Sequence, residues 1–169
     1  MAPMTTRVCG PCDLCCTALG IDEEEPGRLP IHKPARVPCQ HLAINGGCSI
    51  YHSDRKPLVC SAFRCGWLEP GKREWLREDE RPDRLGVIFA AARPGAPFER
   101  STGIRPLVAY EVRPGALESW AVEKVLNRLR RHFLVALSAP GKVITFTGPP
   151  GALAQAHRYV AERGDEPGV

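Results

Sequence analysis

Several features are missing from this 169-residue chain, and each absence narrows its function. No apolar run approaches the roughly 18 residues that cross a bilayer, so we expect no membrane partner. The N-terminus, MAPMTTRVCGPC, lacks the apolar segment of a signal peptide, which predicts a cytoplasmic protein. No P-loop Gly-Lys-Ser/Thr, zincin His-Glu pair or Ser–His–Asp order occurs, so the sequence leaves open whether the chain is an enzyme. The net charge of +4 forms no basic stripe, which argues against a nucleic-acid partner.

Cysteine is also missing from the last 104 residues, because all eight cysteines lie within the first 65. This step in composition predicts two functional regions in one chain. Hydrophobic content of 43% and charged content of 25% are typical of a folded protein. The 16 glycines and 17 prolines are spread throughout and indicate a loop-rich fold.

The cysteines themselves carry the clearest chemistry. The segment CGPCDLCC places Cys9, Cys12 and Cys15 two residues apart, with Cys16 directly after them. A reducing cytosol disfavours a disulfide framework, and burial as small hydrophobic side chains does not explain the spacing. Metal binding through thiolates is therefore the expected role, and it extends to the full set of Cys9, Cys12, Cys15, Cys16, Cys39, Cys48, Cys60 and Cys65.

The spacing bears on which metal is bound. Structural zinc sites usually combine two distant Cys-x-x-Cys pairs, whereas three consecutive two-residue spacings are closer to an iron–sulfur run. The expected cofactor is an iron–sulfur cluster, such as [4Fe–4S], or zinc. Adjacent side chains diverge, so Cys16 serves another centre than Cys15 or remains a reactive thiol. Four thiols per centre allow two full sites, one site plus free thiols, or one larger assembly. We interpret His32, His41 and His52 as hydrogen-bonded loop histidines, because thiols already suffice.

The fold class predicted is α+β. An irregular eight-cysteine metal-binding module is followed by a small antiparallel-sheet unit with two helices in the order ββαββα. Strands are expected at Leu85–Ala92 and Pro106–Val112, with a loop between them, and a hairpin around Pro140-Gly141. The predicted divisions are a module over 1–70, a linker over 71–83, the α+β unit over 84–165 and a frayed tail over 166–169.

The two helices of that unit follow from periodicity and a start signal. In ALESWAVEKVLNRLRRHF, apolar residues recur every four positions at Leu117, Ala121, Val125, Leu129 and Phe133, with Trp120, Val122 and Leu126 beside this face. Pro150 suits the first position of a second helix that runs to Arg163.

Within the module, residues 17–38 read as an irregular connector with one helical turn near Asp22–Glu25. The sequence Asn45-Gly46-Gly47 predicts a tight turn that would return Cys48 toward the other thiols. Trp67, Trp75 and Trp120 are expected in the core or at a junction.

Four segments together resemble a known family. CGPCDLCC, PCQHL, GCSIYHSDRKPLVC and FRCGWL, over about residues 9–68, are similar to the YkgJ-type CxxCxxCC cysteine-cluster proteins, a bacterial family expected to chelate zinc or iron. The segments RPDRLGVIF and AYEVRPGALE resemble the tail of some members. The resemblance implies a metal centre held by the cysteines. Flagellin lysine N-methylases have a similar cysteine module, which adds a metal-dependent modification of a protein lysine as an alternative.

The sequence thus predicts a metal-binding protein of the cysteine-cluster type, with a redox or iron-related role. A metal-cluster-dependent enzyme, with lysine N-methylase-like activity as the example, is the alternative. The expected partners are the metal ion or cluster and a protein that docks on the C-terminal sheet.

Overall fold

The computed structural model describes residues 7–24, 26–69 and 75–163. The chain divides into two compact units, Met1–Asp83 and Arg84–Val169. The first has a two-stranded sheet and the second a four-stranded sheet, so the predicted α+β class is confirmed. No helix within the described ranges is long and apolar enough to span a membrane. The finer predicted divisions stay predictions, and residues 71–74 of the predicted linker and the predicted tail lie outside the described residues.

The first unit is built from short elements joined by turns. Its elements are α1 (Leu14–Ala18), β1 (Ile21–Glu23), β2 (Ile31–Lys33) and α2 (Leu58–Ala62). Strands β1 and β2 pair antiparallel, with Asp22 opposite His32. The predicted helical turn near Asp22 is therefore wrong, because alternation of half-buried Ile21 and Glu23 with exposed Asp22 favours a strand. His32 lies on a strand and not in a loop.

The glycine turn between the middle cysteines is confirmed. Gly46 and Gly47 both have positive φ angles, 82° and 79°, which glycine adopts without steric penalty. The Gly46 N–H donates to the Ala43 carbonyl at 3.0 Å, and an isolated bridge joins Leu42 to Cys48. The turn therefore returns the chain beside the residues that follow Cys39.

The second unit contains four strands and most of the helical residues. Helix α3 (Pro82–Leu85) crosses the boundary between the units, and a short 3-10 helix spans Ala116–Glu118. The remaining elements are β3 (Val87–Ala91), α4 (Pro97–Thr102), β4 (Leu107–Glu111), α5 (Trp120–Leu129), β5 (Val135–Ser138), β6 (Thr145–Thr147) and α6 (Pro150–Arg163).

The sheet of the second unit is mixed, which corrects the antiparallel sheet predicted from the sequence. Its order is β3-β4-β5-β6, with antiparallel pairs at both edges. The central strands β4 and β5 run parallel, with Leu107 opposite Val135. Parallel neighbours need a long crossover, and the segment that holds α5 supplies it. The predicted hairpin corresponds to β5 and β6.

A third helix corrects the prediction of two. The segment expected as a loop between β3 and β4 holds α4, which has Pro97 at its first turn and ends at Gly103, where φ is 69°. Phe98 anchors this helix, since it is buried and packs edge-on against Tyr159 of α6 at 5.0 Å between ring centroids. This tertiary contact explains why α4 forms although it is too short for hydrophobic periodicity to predict a helix.

Helix α5 buries part of the predicted face together with residues that lie beside it. Its buried residues are Val122, Val125, Leu126 and Leu129, whereas Trp120 is 75% exposed. Positions four apart drift by about 40° per step around a helix, so a strict four-residue repeat leaves the core-facing stripe. The prediction that Trp120 lies in the core or at a junction is therefore wrong, while Trp67 is buried as expected.

The core of the second unit lies around strands β3 and β4. Four consecutive residues of β3, Val87–Ala90, are buried, as are Leu107, Val108 and Ala109 of β4. Successive strand residues point to opposite faces, so both faces of these strands are covered.

Candidate metal centre

All eight cysteines lie in the first unit, and all are free thiols. Cys65 is buried and the other seven are partly buried. Sequence analysis proposed them together as ligands. The structure describes each of them, so their surroundings can be compared one by one.

Backbone amides point at four of the sulfurs. The His41 N–H donates to the Cys39 sulfur at 3.4 Å. In the same way, the N–H groups of Leu14, Ile50 and Trp67 donate to the sulfurs of Cys12, Cys48 and Cys65. Each donor is two residues after its cysteine, so each cysteine begins a turn that curls its backbone around the sulfur. Such amides favour the thiolate over the thiol, and similar concave arrangements of N–H groups hold anions and iron–sulfur clusters.

Cys12 receives a second amide, and Cys65 receives two more, from Leu68 and from its own backbone. The Asp83 N–H donates to Cys12, and the Leu68 N–H donates to Cys65. Burial nevertheless raises the pKa of both thiols above the ordinary value of 9.0, because these amides offset only part of the desolvation. Both thiols therefore stay protonated near neutral pH unless a cation replaces the proton.

Neighbouring sulfurs add to this effect. Burial, and after it the thiols of Cys65, Cys12 and Cys16, raises the pKa of Cys9 to about 11. Burial also raises the pKa of Cys60 to about 11, with Cys16 next in importance. Closely spaced thiols cannot all ionise without a positive charge among them. A bound cation would supply that charge.

Cys15 and Cys16 behave as a pair, so the expectation that these adjacent side chains diverge is wrong. Their side chains hydrogen-bond to each other, which raises the pKa of Cys15 far above its usual range and lowers that of Cys16. The proton thus resides on Cys15, which donates to the Cys16 sulfur. Both residues lie on α1, directly after the Cys9–Cys12 turn.

Two lysines that sequence analysis did not identify face the thiols. Lys33 is buried, and its ammonium donates to the carbonyls of Thr17, Leu19 and Pro34. The charge of Lys56 lowers the pKa of Cys16 and of other thiols, and its ammonium also lies 4.4 Å from the centroid of the Tyr51 ring. No sequence pattern identifies either lysine, because each comes close to the thiols only in the folded chain.

Long-range polar contacts hold the thiol-bearing segments in place. Arg28 donates to the carbonyls of Asp54 and Lys56, both at 2.9 Å, and the Leu29 N–H donates to the Arg55 carbonyl at 2.8 Å. The segment that leads to α2 is thereby fixed against the loop between β1 and β2.

The three histidines contact nearby polar or aromatic side chains. His32 is exposed and contacts the Asp22 carboxylate at 2.5 Å, and the His41 ring lies 3.2 Å from the Gln40 side-chain amide. His52 packs edge-on against Tyr51. Their predicted role as hydrogen-bonded side chains and not ligands stays a prediction.

The thiols are neighbours but do not form a closed coordination shell. Within residues 7–24, 26–69 and 75–163, no three His, Cys, Asp or Glu side chains are positioned so that they could hold a metal ion as they stand. The donor set suits soft metals, since thiolates bind zinc and iron–sulfur clusters. Coordination would therefore require the sulfurs to draw together and lose their protons.

Comparisons of the chain with protein-family models, curated proteins and solved structures found no match.

Proposed function

We propose that the first unit is a metal-binding module that holds zinc or an iron–sulfur cluster through cysteine thiolates. The observation that carries the proposal is the set of four turns in which a backbone amide donates to the sulfur of Cys12, Cys39, Cys48 or Cys65. A backbone N–H that donates to sulfur stabilises the charged thiolate more than the neutral thiol. A thiolate buried among other sulfurs also needs a nearby cation to offset its charge.

The sparse core of the first unit supports the same function. Among the residues that the structure describes there, the buried hydrophobic side chains are Ile31, Cys65, Trp67 and Leu76. Over its described residues, 84–163, the second unit buries twenty-one such side chains. In small metal-binding modules the metal commonly takes the place of the missing core.

Metal would be bound in exchange for protons. Because burial and neighbouring thiols raise the pKa of Cys9 and Cys60 to about 11, each of these groups releases a proton when it becomes a ligand. Affinity should therefore fall as the pH falls. The protein-lysine modification and the redox role suggested by the sequence stay predictions.

The test is to purify the full chain anaerobically and to measure metal content, acid-labile sulfide and visible absorption. Stoichiometric zinc in colourless protein indicates a zinc module, whereas iron, sulfide and a brown colour indicate a cluster. A chelator should then unfold the first unit while the second stays folded. Protein that holds no metal, and takes up none when zinc or iron with sulfide is supplied, would refute the proposal.

A further inference from the structure

We propose that the chain forms a symmetric dimer in which the outer edge of strand β6 pairs antiparallel with the same strand of a second copy. The four-stranded sheets of the two copies then join into one continuous sheet. This inference concerns the second unit alone and does not depend on the proposed metal centre.

The two edges of the four-stranded sheet differ in exposure. At the β3 edge, Val87, Ile88 and Phe89 are fully buried. At the β6 edge, Thr145 is exposed, and in the described part of the chain no strand pairs with the outer side of β6. An edge strand presents N–H and C=O groups to which another strand can bond. The β6 edge is therefore the one that a partner strand can reach.

The residues of the β6 edge favour pairing with another strand. Proteins often protect an exposed strand edge with a charged side chain or a proline. Residues 143–147, Val-Ile-Thr-Phe-Thr, contain neither, and each of them is β-branched or aromatic. Such side chains are enriched in strands because they pack well on a pleated surface. The segment is therefore suited to a position inside a sheet, and the second copy would place it there.

The faces of the sheet restrict how two copies of this edge can pair. Ile144 and Phe146 pack against the same buried cluster, so they share one face of the sheet. Strand alternation turns Val143, Thr145 and Thr147 to the other face. A two-fold axis perpendicular to the sheet keeps each face on its own side. The axis must therefore pass through a residue that pairs with its own copy, and Thr145 is the central residue of the segment.

With Thr145 at the axis, the edge is complementary to itself. Ile144 of one copy lies opposite Phe146 of the other, and the two Thr145 side chains are neighbours. Aromatic side chains opposite β-branched ones, and threonine opposite threonine, are pairs that stabilise antiparallel strands. The nearest charged residue, Lys142, falls opposite Gly148, so no like charges meet. Residues 143–147 offer no charge to an acidic or basic segment, whereas the chain's own strand matches them.

Exposed apolar surface lies beside this edge. Among the described residues of the second unit, the exposed large hydrophobic side chains are Trp120, at 75%, and Val143, at 83%. The Glu118 carboxylate lies 3.6 Å from the Lys142 ammonium, which holds the start of α5 near the beginning of the edge segment. The dimer covers Val143 and brings Trp120 to its margin. Because β6 has only three residues, the interface is small and the dimer is expected to be weak and reversible.

The test measures the mass of the full chain by sedimentation equilibrium over a range of concentrations, with a reductant that prevents intermolecular disulfides. As the concentration rises, the wild type should pass from a monomer to a species of twice 18.5 kDa. Val143→Lys places a charge on the edge of both copies and should raise the dissociation constant by about tenfold or more. Val143→Thr keeps a β-branched, uncharged side chain and should dimerise as the wild type does.

Ile44→Lys is the matched control, because Ile44 is fully exposed but belongs to the first unit, and it should leave the dissociation constant unchanged. Amide hydrogen exchange then locates the interface, since protection of residues 143–147 should increase with protein concentration. A dimer that Val143→Lys does not weaken, or that Ile44→Lys weakens equally, would overturn the proposal. Wild-type protein that stays monomeric at its highest soluble concentration would also overturn it and would leave the edge to an extended segment of another protein.

Discussion

Replacement of Gly47 by alanine should damage the thiol region far more than the same change at Gly27. Both glycines have a φ angle of 79°, so an alanine at either position carries the same left-handed strain, about 1–2 kcal/mol. At Gly27 a new Cβ would meet nothing within 4 Å. At Gly47 it would lie 2.6 Å from the Gly10 carbonyl oxygen, closer than real Cβ atoms approach.

This contact joins two thiol-bearing segments, since Gly10 lies between Cys9 and Cys12 and Gly47 immediately precedes Cys48. A main-chain oxygen cannot rotate away as a long side chain can, so one of the two segments must move. Overpacking of this kind typically costs about 1–3 kcal/mol beyond the backbone strain. We therefore expect Gly47→Ala to lower the free energy of unfolding by roughly 2–5 kcal/mol and Gly27→Ala by about 1–2 kcal/mol.

The assay is urea unfolding of the purified full chain, followed by tryptophan fluorescence in a Trp120→Phe background. The two remaining tryptophans, Trp67 and Trp75, both belong to the first unit and then report on it. The effect of alanine on the entropy of the unfolded chain is similar for both variants and cancels in their difference. Equal losses for Gly47→Ala and Gly27→Ala would show that the two thiol segments are not packed as the structure has them.

Three further predictions concern the second unit. Ser119 accepts the Val122 N–H with its hydroxyl and caps α5, so Ser119→Ala should cost about 1 kcal/mol in thermal unfolding. Leu126→Ala should cost about 2–5 kcal/mol in urea unfolding, because the side chain is buried, whereas Trp120→Ala should cost less than about 1 kcal/mol. Burial raises the pKa of Tyr110 from 10.0 to about 12, so the folded state favours the neutral phenol and the protein loses stability as the pH rises from 10 to 12. Tyr110→Phe should abolish this part of the pH dependence. The stability that the wild type loses through Tyr110 over this range, measured as the difference between the two proteins, should not exceed roughly 2–3 kcal/mol.

Each of these predictions has its own control. Ser119→Thr keeps a capping hydroxyl and should restore most of the lost stability. Equal losses for Leu126→Ala and Trp120→Ala would contradict the assigned buried face of α5. If Tyr110→Phe unfolds with the same alkaline pH dependence as the wild type, the phenol does not have a raised pKa. Lysines and thiols titrate in both proteins, so their contribution cancels in that comparison.

The regular elements of the second unit could largely be predicted from the sequence, because local patterns specify them. The apolar runs at Val87–Ala91 and Leu107–Glu111 are strands, and the proline at the start of α6 marks a helix as expected. The direction of β5 relative to β4 could not be predicted, since strand pairing depends on how the crossover packs and not on local pattern. Helix α4 was missed because it owes its place to the contact between Phe98 and Tyr159.

The thiols were visible in the sequence, but the residues that position them were not. Arg7 and Glu23 carry no motif, and each contacts backbone groups 35 or more positions away. Lys33 reaches its carbonyl partners only because β1 and β2 pair. Spacing can suggest which residues bind a soft metal, whereas the grouping of ligands depends on contacts that no local pattern encodes.

The polar contacts of the first unit contribute little stability compared with what a bound metal would supply. A typical intramolecular hydrogen bond contributes about 0.5–1.5 kcal/mol net, and fixing each residue's backbone costs roughly 1–2 kcal/mol. With Ile31, Trp67 and Leu76 among the few large side chains buried there, apolar burial adds only about 1.5–3 kcal/mol for each. A structural zinc site contributes about 10–16 kcal/mol, which is comparable to the whole stability of an ordinary domain. Under the proposed function, the stability of the first unit and its metal occupancy should therefore change together, so that substitution of Arg7 or Glu23, which contact distant backbone groups, should lower metal retention although neither residue is a ligand.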